Sequence, residues 1–291
     1  MLTLIIVSLV LFGLILGSFA GATVWRLRAQ QLKVDKQQKE PYDTEEYARL
    51  KPLMHRLARK DRSMCLTCGY ALKWYDLIPL MSWLSLKGKC RSCRKPIGRF
   101  EPLMELGVAA VFVLAFIFWP FPLETPLAVA QFAVWLVSFV ALAILFAYDA
   151  KWFLLPDKVT FTVVGLGVVL LVLRMVEQGD IGGPLLSTVG AVGVLGGLYL
   201  LLHAVSKGQW VGFGDVKLGL ALGLLLGDWA LALVALFTAN LLGTLMVMPL
   251  LLSGKLKRDS RVPFGPLLIS GTVLALLFGW YVVEWMLFTA A

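Results

Sequence analysis

Residues 2 to 25 read LTLIIVSLVLFGLILGSFAGATVW, an apolar run with no charged side chain. At 1.5 Å per residue such a run reaches about 36 Å as a helix, more than the roughly 30 Å of bilayer hydrocarbon. The first positive charges, Arg26 and Arg28, follow the run instead of preceding it. That order predicts a retained span with its N-terminus outside, where a signal peptide would carry its charges first.

The rest of the chain has the same character. Of its 291 residues 59% are hydrophobic and 15% charged, against about 45–50% and about 25% in soluble domains. The expectation is an all-α polytopic membrane protein. After a polar segment at 26–102, apolar runs recur at 103–119, 126–148, 159–176, 184–205, 216–227, 229–252 and 266–288, which with the first make eight. The turn at Gly227-Asp228-Trp229 is the least marked boundary, and no internal repeat is evident. Eight alternating spans put 26–102, 149–158, 206–217 and 253–265 in the cytosol, and these segments hold 26 of the 27 Lys and Arg residues, Arg174 being the exception. The positive-inside rule therefore agrees with the count. It also explains the net charge of +9 through loops beside a lipid bilayer, so no nucleic-acid partner is expected.

Two acids end up at one depth. Asp149 closes the third apolar run, and Asp215, in Gly212-Phe213-Gly214-Asp215, opens the sixth, both on the cytosolic side. An aspartate in the middle of a span costs roughly 2.5–3.5 kcal/mol, so such residues ask for a partner or a function. Two carboxylates about 4 Å apart repel by about 4 kcal/mol at an effective dielectric near 20. A pair therefore shares one proton: one oxygen takes a proton from water while the other carboxyl polarises a scissile carbonyl. Either acid alone reads equally well as a solvated boundary residue or a cap. Asp157, after Pro156, is expected to cap the fourth span; Asp180 and Asp228 lie on the outer side, and Glu105 falls inside the second span. Gly212 and Gly214 allow positive φ or close approach of a substrate backbone.

All four cysteines lie in the polar segment, as Cys65-x-x-Cys68, a 21-residue insert, and Cys90-x-x-Cys93. Two close pairs suit a tetrahedral thiolate site for structural zinc, closed to substrate water; two disulfides are the alternative, disfavoured by a cytosolic location. The charge-rich stretch 30–62 reads as a mobile or helical linker. Lys87, Lys89, Arg91, Arg94, Lys95 and Arg99 are expected against lipid headgroups or a substrate, with Trp74, Tyr75 and Trp83 as interface anchors. His55 reads as a surface residue and His203 as a span-end residue, neither with ligand-like neighbours.

Together these motifs resemble the type IV prepilin peptidases, membrane aspartyl proteases of the GxGD class. The resemblance rests on Tyr148-Asp149, Leu155-Pro156-Asp157, Gly212 to Leu218, Gly17-Ser18-Phe19 with Arg26, the two CxxC pairs around Pro79 to Trp83, Pro102 to Leu106, and Pro263-Phe264-Gly265-Pro266. It implies catalytic Asp149 and Asp215, with Gly212, Gly214, Pro263, Phe264 and Gly265 giving backbone access to the substrate. It further implies leader cleavage of prepilins or pseudopilins at the cytosolic face of a bacterial inner membrane. Many members also methylate the new N-terminus with S-adenosylmethionine, and Gly98 and Glu105 are the residues carried over for that step. Glu101 stands where a Tyr is usual, Gly21 where an Asn is usual, and Leu66 where a Pro is usual. These departures bear on methylation and not on proteolysis. The expected organisation is a first span (1–25), a cytosolic linker with a four-cysteine zinc module (26–102) and a seven-helix protease core (103–291). A protease without methyl transfer, a zinc-stabilised membrane scaffold with inert acids, and a cation transporter are the alternatives. The last would spread its acids along a path through the membrane, whereas here they gather on one face.

Overall fold

The computed structural model describes residues 2–54, 62–255 and 262–290. His55 lies outside the described residues. The chain divides into two compact units, residues 1–113 and 114–291. Among the described residues there is no strand, and only two isolated β-bridges.

In the first unit, α1 runs from Leu2–Gln38 without a break. No change of conformation marks the expected boundary at residue 25. Residues 26–38 contain no Gly or Pro and are rich in Arg, Gln, Leu and Lys, all good helix formers, so nothing stops the helix. A turn containing Lys39 at φ 61° reverses the chain into α2, Thr44–Met54. Asp43 starts α2 by accepting hydrogen bonds from the amides of Glu45 and Glu46 at 2.9 and 3.0 Å. Ala29 and Leu32 of α1 bury against Leu50 and Met54 of α2, and Arg28 pairs with Glu46 at 2.7 Å. As far as residue 54 the charge-rich linker is thus two helices joined by a turn. A five-residue helix α3, Met81–Ser85, lies within the cysteine module, and α4, Phe100–Ile117, returns beside α1. There the backbones touch: a β-carbon on Gly13 would lie 2.5 Å from Ala109 Cα, and one on Gly17 would lie 2.6 Å from Glu105 Cα. Small residues are what let membrane helices approach so closely.

The second unit holds α5 (Pro126–Trp152), α6 (Asp157–Gln178), α7 (Gly182–Val192), a π-helical turn (Gly193–Gly197), α8 (Leu198–Ser206), α9 (Phe213–Leu226), α10 (Trp229–Leu252) and α11 (Gly265–Ala290). Helices α7 and α8 with the turn between them form one continuous rod, Gly182–Ser206. Among the described residues, seven helices are long and apolar enough to cross a membrane. The sequence had suggested eight, and α9 makes the difference. Its 14 residues rise only about 21 Å, short of the hydrocarbon thickness. Its two ends are set by specific groups. Gly212 before it is extended (φ −71°, ψ 152°), and Gly227 after it is left-handed at φ 63°. Asp228 then caps α10, accepting from the amides of Ala230 and Leu231 at 2.9 Å each. Arg174, the lone cation outside the basic loops, lies on α6 and donates from Nη2 to the Leu225 carbonyl at 2.6 Å. A positive group is well placed at this negative helix end.

Helix α9 is enclosed by its neighbours, which explains how a short helix holds its place. A β-carbon on Gly219 would stand 2.6 Å from the Leu195 carbonyl oxygen, one on Gly223 2.8 Å from Val192 Cα, and one on Gly167 2.6 Å from Leu224 Cβ. Helices α10 and α11 meet in the same way, with Gly271 against the Ala235 carbonyl and the Ala239 amide.

Candidate active site and metal centre

Asp149 sits in the last turn of α5, 5% exposed. Its Oδ2 accepts a hydrogen bond from the Gly265 amide at 3.0 Å, made across 116 residues of sequence. Asp215 is in the first turn of α9, and the Gly212 amide donates to its carboxylate. The two carboxylates are near enough for the charge of Asp215 to act on Asp149. So both acids come from helix ends and both accept from a glycine N–H.

Of the two uses expected of these glycines, a positive φ does not occur. Neither Gly212 nor Gly214 takes a positive φ. Gly214 lies against Leu155, and a β-carbon there would be 3.4 Å from Leu155 Cδ1. The strictest demand falls on Gly265, where a β-carbon would be 2.6 Å from Asp149 Oδ2. Pro263 and Phe264 lead into it. Phe264 packs its ring 5.5 Å from that of Tyr199 and lines a groove of about 340 Å3 with Gly243, Val247, Met248 and Leu267. Asp157 is not a cap: Pro156 holds that position, and the Asp157 carboxylate pairs with Lys217, two residues beyond Asp215. His203 is in the last turn of α8, as a span-end residue would be, and its Nδ1 donates to the Val211 carbonyl at 2.8 Å, holding the loop just before Gly212.

The cysteines gather in the first unit. Each pair forms the same small loop. The Cys65 amide donates to Tyr70 and the Cys90 amide to Lys95, both at 2.9 Å, while Gly69 and Arg94, with φ of 73° and 59°, close the two turns. The four Sγ atoms lie within 4.8 Å of one another. Cys65 and Cys93 stand 4.0 Å apart and Cys68 and Cys90 3.9 Å. Ligands at 2.3 Å around a tetrahedral metal would be about 3.8 Å apart, so the set fits a metal ion; disulfide sulfurs would be near 2 Å. Asp76, buried beside the cluster, accepts from Arg91 Nε at 2.7 Å and from the Lys73 amide at 3.1 Å. This pairing raises the Arg91 pKa further and spends one of the cations expected at a lipid surface. Of the three expected anchors, Trp74 is exposed, whereas Trp83 is half-buried and donates from Nε1 to the Gly98 carbonyl at 2.8 Å.

Gly98 itself is at φ 101°, a conformation that side chains oppose. Glu105 is 6% exposed; its Oε2 accepts from the Leu80 amide at 2.8 Å, and Ser18 donates to it as well. Both residues therefore bond to the short stretch 80–83. One turn earlier on α4, Glu101 Oε1 accepts from Trp25 Nε1 at 3.1 Å, while its Oε2 is buried without a hydrogen-bond partner.

These two centres can be set beside known proteins. The profile of the bacterial peptidase A24 N-terminal domain matches residues 11–119, and that of the type IV leader peptidase family matches residues 136–248. A prepilin leader peptidase/N-methyltransferase of Aeromonas salmonicida (strain A449) is 32% identical over 96% of this chain and 92% of its own length. One from Burkholderia pseudomallei (strain 1026b) is 31% identical over 93% and 84%. One from Bacillus subtilis (strain 168) is 33% identical over 75% and 82%. No solved structure matches the chain. Near end-to-end similarity of this kind takes in both the cysteine module and the helices that bear the paired aspartates, and on it the chain belongs to the type IV leader peptidase family, as a multi-pass membrane protease.

Proposed function

We propose that this chain is an intramembrane aspartyl endopeptidase that removes the leader from type IV prepilins or pseudopilins. The observation that supports it most is that Asp149 and Asp215, carboxylates from different helices that each accept from a glycine N–H, are near enough for the charge of one to act on the other. Two such acids share one proton. The ionised one takes a proton from a water whose oxygen attacks the scissile carbonyl. The protonated one donates to the carbonyl oxygen, and the proton taken from water passes to the leaving amine as the C–N bond breaks. Asp149 and Asp215 lie at the ends of α5 and α9 that adjoin the basic loops 149–158 and 206–217. This supports cleavage at the cytosolic face of a bacterial inner membrane.

For the second activity, S-adenosylmethionine carries two cationic groups, a sulfonium and an ammonium. The unpartnered buried Oε2 of Glu101 and the buried Glu105 carboxylate suit them in charge. Glu101 and Glu105 would hold the cofactor, with Gly98 leaving room beside it; when bound, it supplies an activated methyl group. Incubating the purified protein with a synthetic prepilin and a methyl-labelled donor tests both activities together. Leader release and label on the mature N-terminus are the expected result. Release without label leaves the protease alone, and no release ends the proposal.

The cysteine cluster we assign to structural Zn2+, held by Cys65, Cys68, Cys90 and Cys93. Although burial works against it, the Thr67 and Cys68 amides and neighbouring thiols bring the Cys65 thiol down to about 7, whereas burial pushes Cys90 up to about 11. At neutral pH the metal-free Cys90 is a thiol, so zinc entry must release its proton. Affinity therefore rises with pH, and acid expels the metal. Metal analysis is expected to find one zinc per chain. Chelation, or Cys90→Ser, is expected to open the module to proteolysis while leader cleavage persists to a larger degree. Absence of zinc with four reduced thiols overturns the assignment.

A further inference from the structure

The packing of α8 on α9 leads to Tyr199. The π-helical rod and α9 run antiparallel, and the carbonyls of the rod that touch α9 glycines step along both by four residues. The Ala191 carbonyl lies over Gly223, and the Leu195 carbonyl over Gly219. One further step of four pairs Tyr199 with Asp215. Three other observations converge on the same place. The Tyr199 side chain is 4% exposed, its ring packs on Phe264, next to the glycine that bonds Asp149, and its phenol interacts electrostatically with Asp215. The π-helical turn also has a role here. Its widened backbone brings Leu195 and Gly196, neighbours in sequence, both against α9 at Gly219 and Leu220. Such turns inside α-helices recur at functional sites.

A tyrosine hydroxyl on a buried ring ordinarily meets a hydrogen-bond partner, protein or solvent. Among the described residues none bonds the Tyr199 hydroxyl, and each of the two acids already accepts from a glycine amide. We infer that Tyr199 is the third polar residue of the site, and that its hydroxyl donates a hydrogen bond to the carbonyl oxygen of the scissile peptide. The inference rests on the aspartyl reading above and deepens it. As water's oxygen bonds to the carbonyl carbon, the C=O π pair moves onto oxygen. The protonated aspartate and the phenol share that charge. Tyr199 keeps its proton throughout, so the proton balance remains with the two aspartates. A donor aimed at a developing oxyanion contributes about 10²–10³-fold in kcat.

The test is Tyr199→Phe in the full-length protein, assayed with a synthetic prepilin beside Asp215→Asn. Phenylalanine keeps the ring against Phe264 and removes only the hydroxyl. The expected result is a kcat about 100-fold lower with KM changed less than about threefold. The thermal unfolding midpoint and prepilin binding, measured in an Asp215→Asn background, should be unchanged. A purely structural tyrosine would show the opposite split, a lowered midpoint with kcat per folded molecule retained. Wild-type kcat in Tyr199→Phe, with Asp215→Asn inactive, overturns the inference and leaves the dyad standing. Activity in Asp215→Asn overturns the aspartyl reading, and the inference with it.

Discussion

Asp149→Asn and Asp215→Asn are each expected to lower leader cleavage at least about 10³-fold, the upper range for loss of a general acid or base. Asparagine preserves the shape of the side chain, and its carboxamide oxygen can still accept from Gly265 or Gly212. What it removes is the shared proton. A dyad with one amide has either no base to take a proton from water or no acid to polarise the carbonyl. The two losses should be equal in scale and far from additive in the double variant, since the acids act as a unit. Coexpression with a prepilin, followed by the mobility shift of the processed form, measures the loss; membrane insertion and thermal unfolding should match wild type. Asp157→Ala is the internal control. Its side chain is 58% exposed and paired with Lys217, so only a few-fold change is expected of it. Full processing by either asparagine variant ends the aspartyl mechanism.

The acids were legible in the sequence because membrane physics makes them so. An aspartate beside a run of some 20 apolar residues stands out, and charge counting alone gave Asp149 and Asp215 a common depth. The cysteines were legible for a similar reason, since two CxxC pairs have few stable fates, and the four Sγ atoms do gather. Span boundaries came within a few residues wherever polar loops broke the apolar runs. Other features left no local trace. The apolar run of α9, 216–227, is visibly short, but nothing in its composition says what sets the helix at 14 residues. Its length follows from the left-handed Gly227, the Asp228 cap and the Arg174 side chain from another helix. The unbroken α1 was missed because a change from apolar to charged residues marks a membrane surface without ending a helix. Tyr199 was invisible because its meaning depends on registration with α9, which is set by glycine contacts 24 and 31 residues apart in sequence, Leu195 with Gly219 and Val192 with Gly223. Gly265 was quoted within a motif, but which of the chain's 27 glycines touches a carboxylate is a tertiary fact.

That contact makes Gly265 a sensitive position outside the dyad. Gly265→Ala adds a single carbon 2.6 Å from Asp149 Oδ2, 3.2 Å from Cγ and 3.4 Å from Cβ. All three are atoms of one short, buried side chain on α5, with 5% of Asp149 exposed, so the carboxylate has little space in which to retreat. To relieve the contact, either α11's first turn or the carboxylate must shift by roughly 1 Å. Either movement weakens the amide hydrogen bond and turns the carboxyl away from Asp215. A misplacement of about 1 Å at a reacting group costs about 10²-fold. Cleavage by Gly265→Ala is therefore expected to fall about 100-fold, mostly in kcat, and by Gly265→Val further still. Gly212→Ala provides the contrast. Its nearest atom outside the adjacent chain would be Asp215 Oδ2 at 3.6 Å, an ordinary contact, and its φ of −71° suits alanine. It should keep cleavage within a few-fold of wild type, although both glycines donate to a carboxylate through the same group. If the two alanine variants lose activity equally, the steric account of Gly265 fails. The predicted order, Gly265→Val below Gly265→Ala below Gly212→Ala, is one that glycine flexibility by itself does not produce, because neither position uses a left-handed backbone.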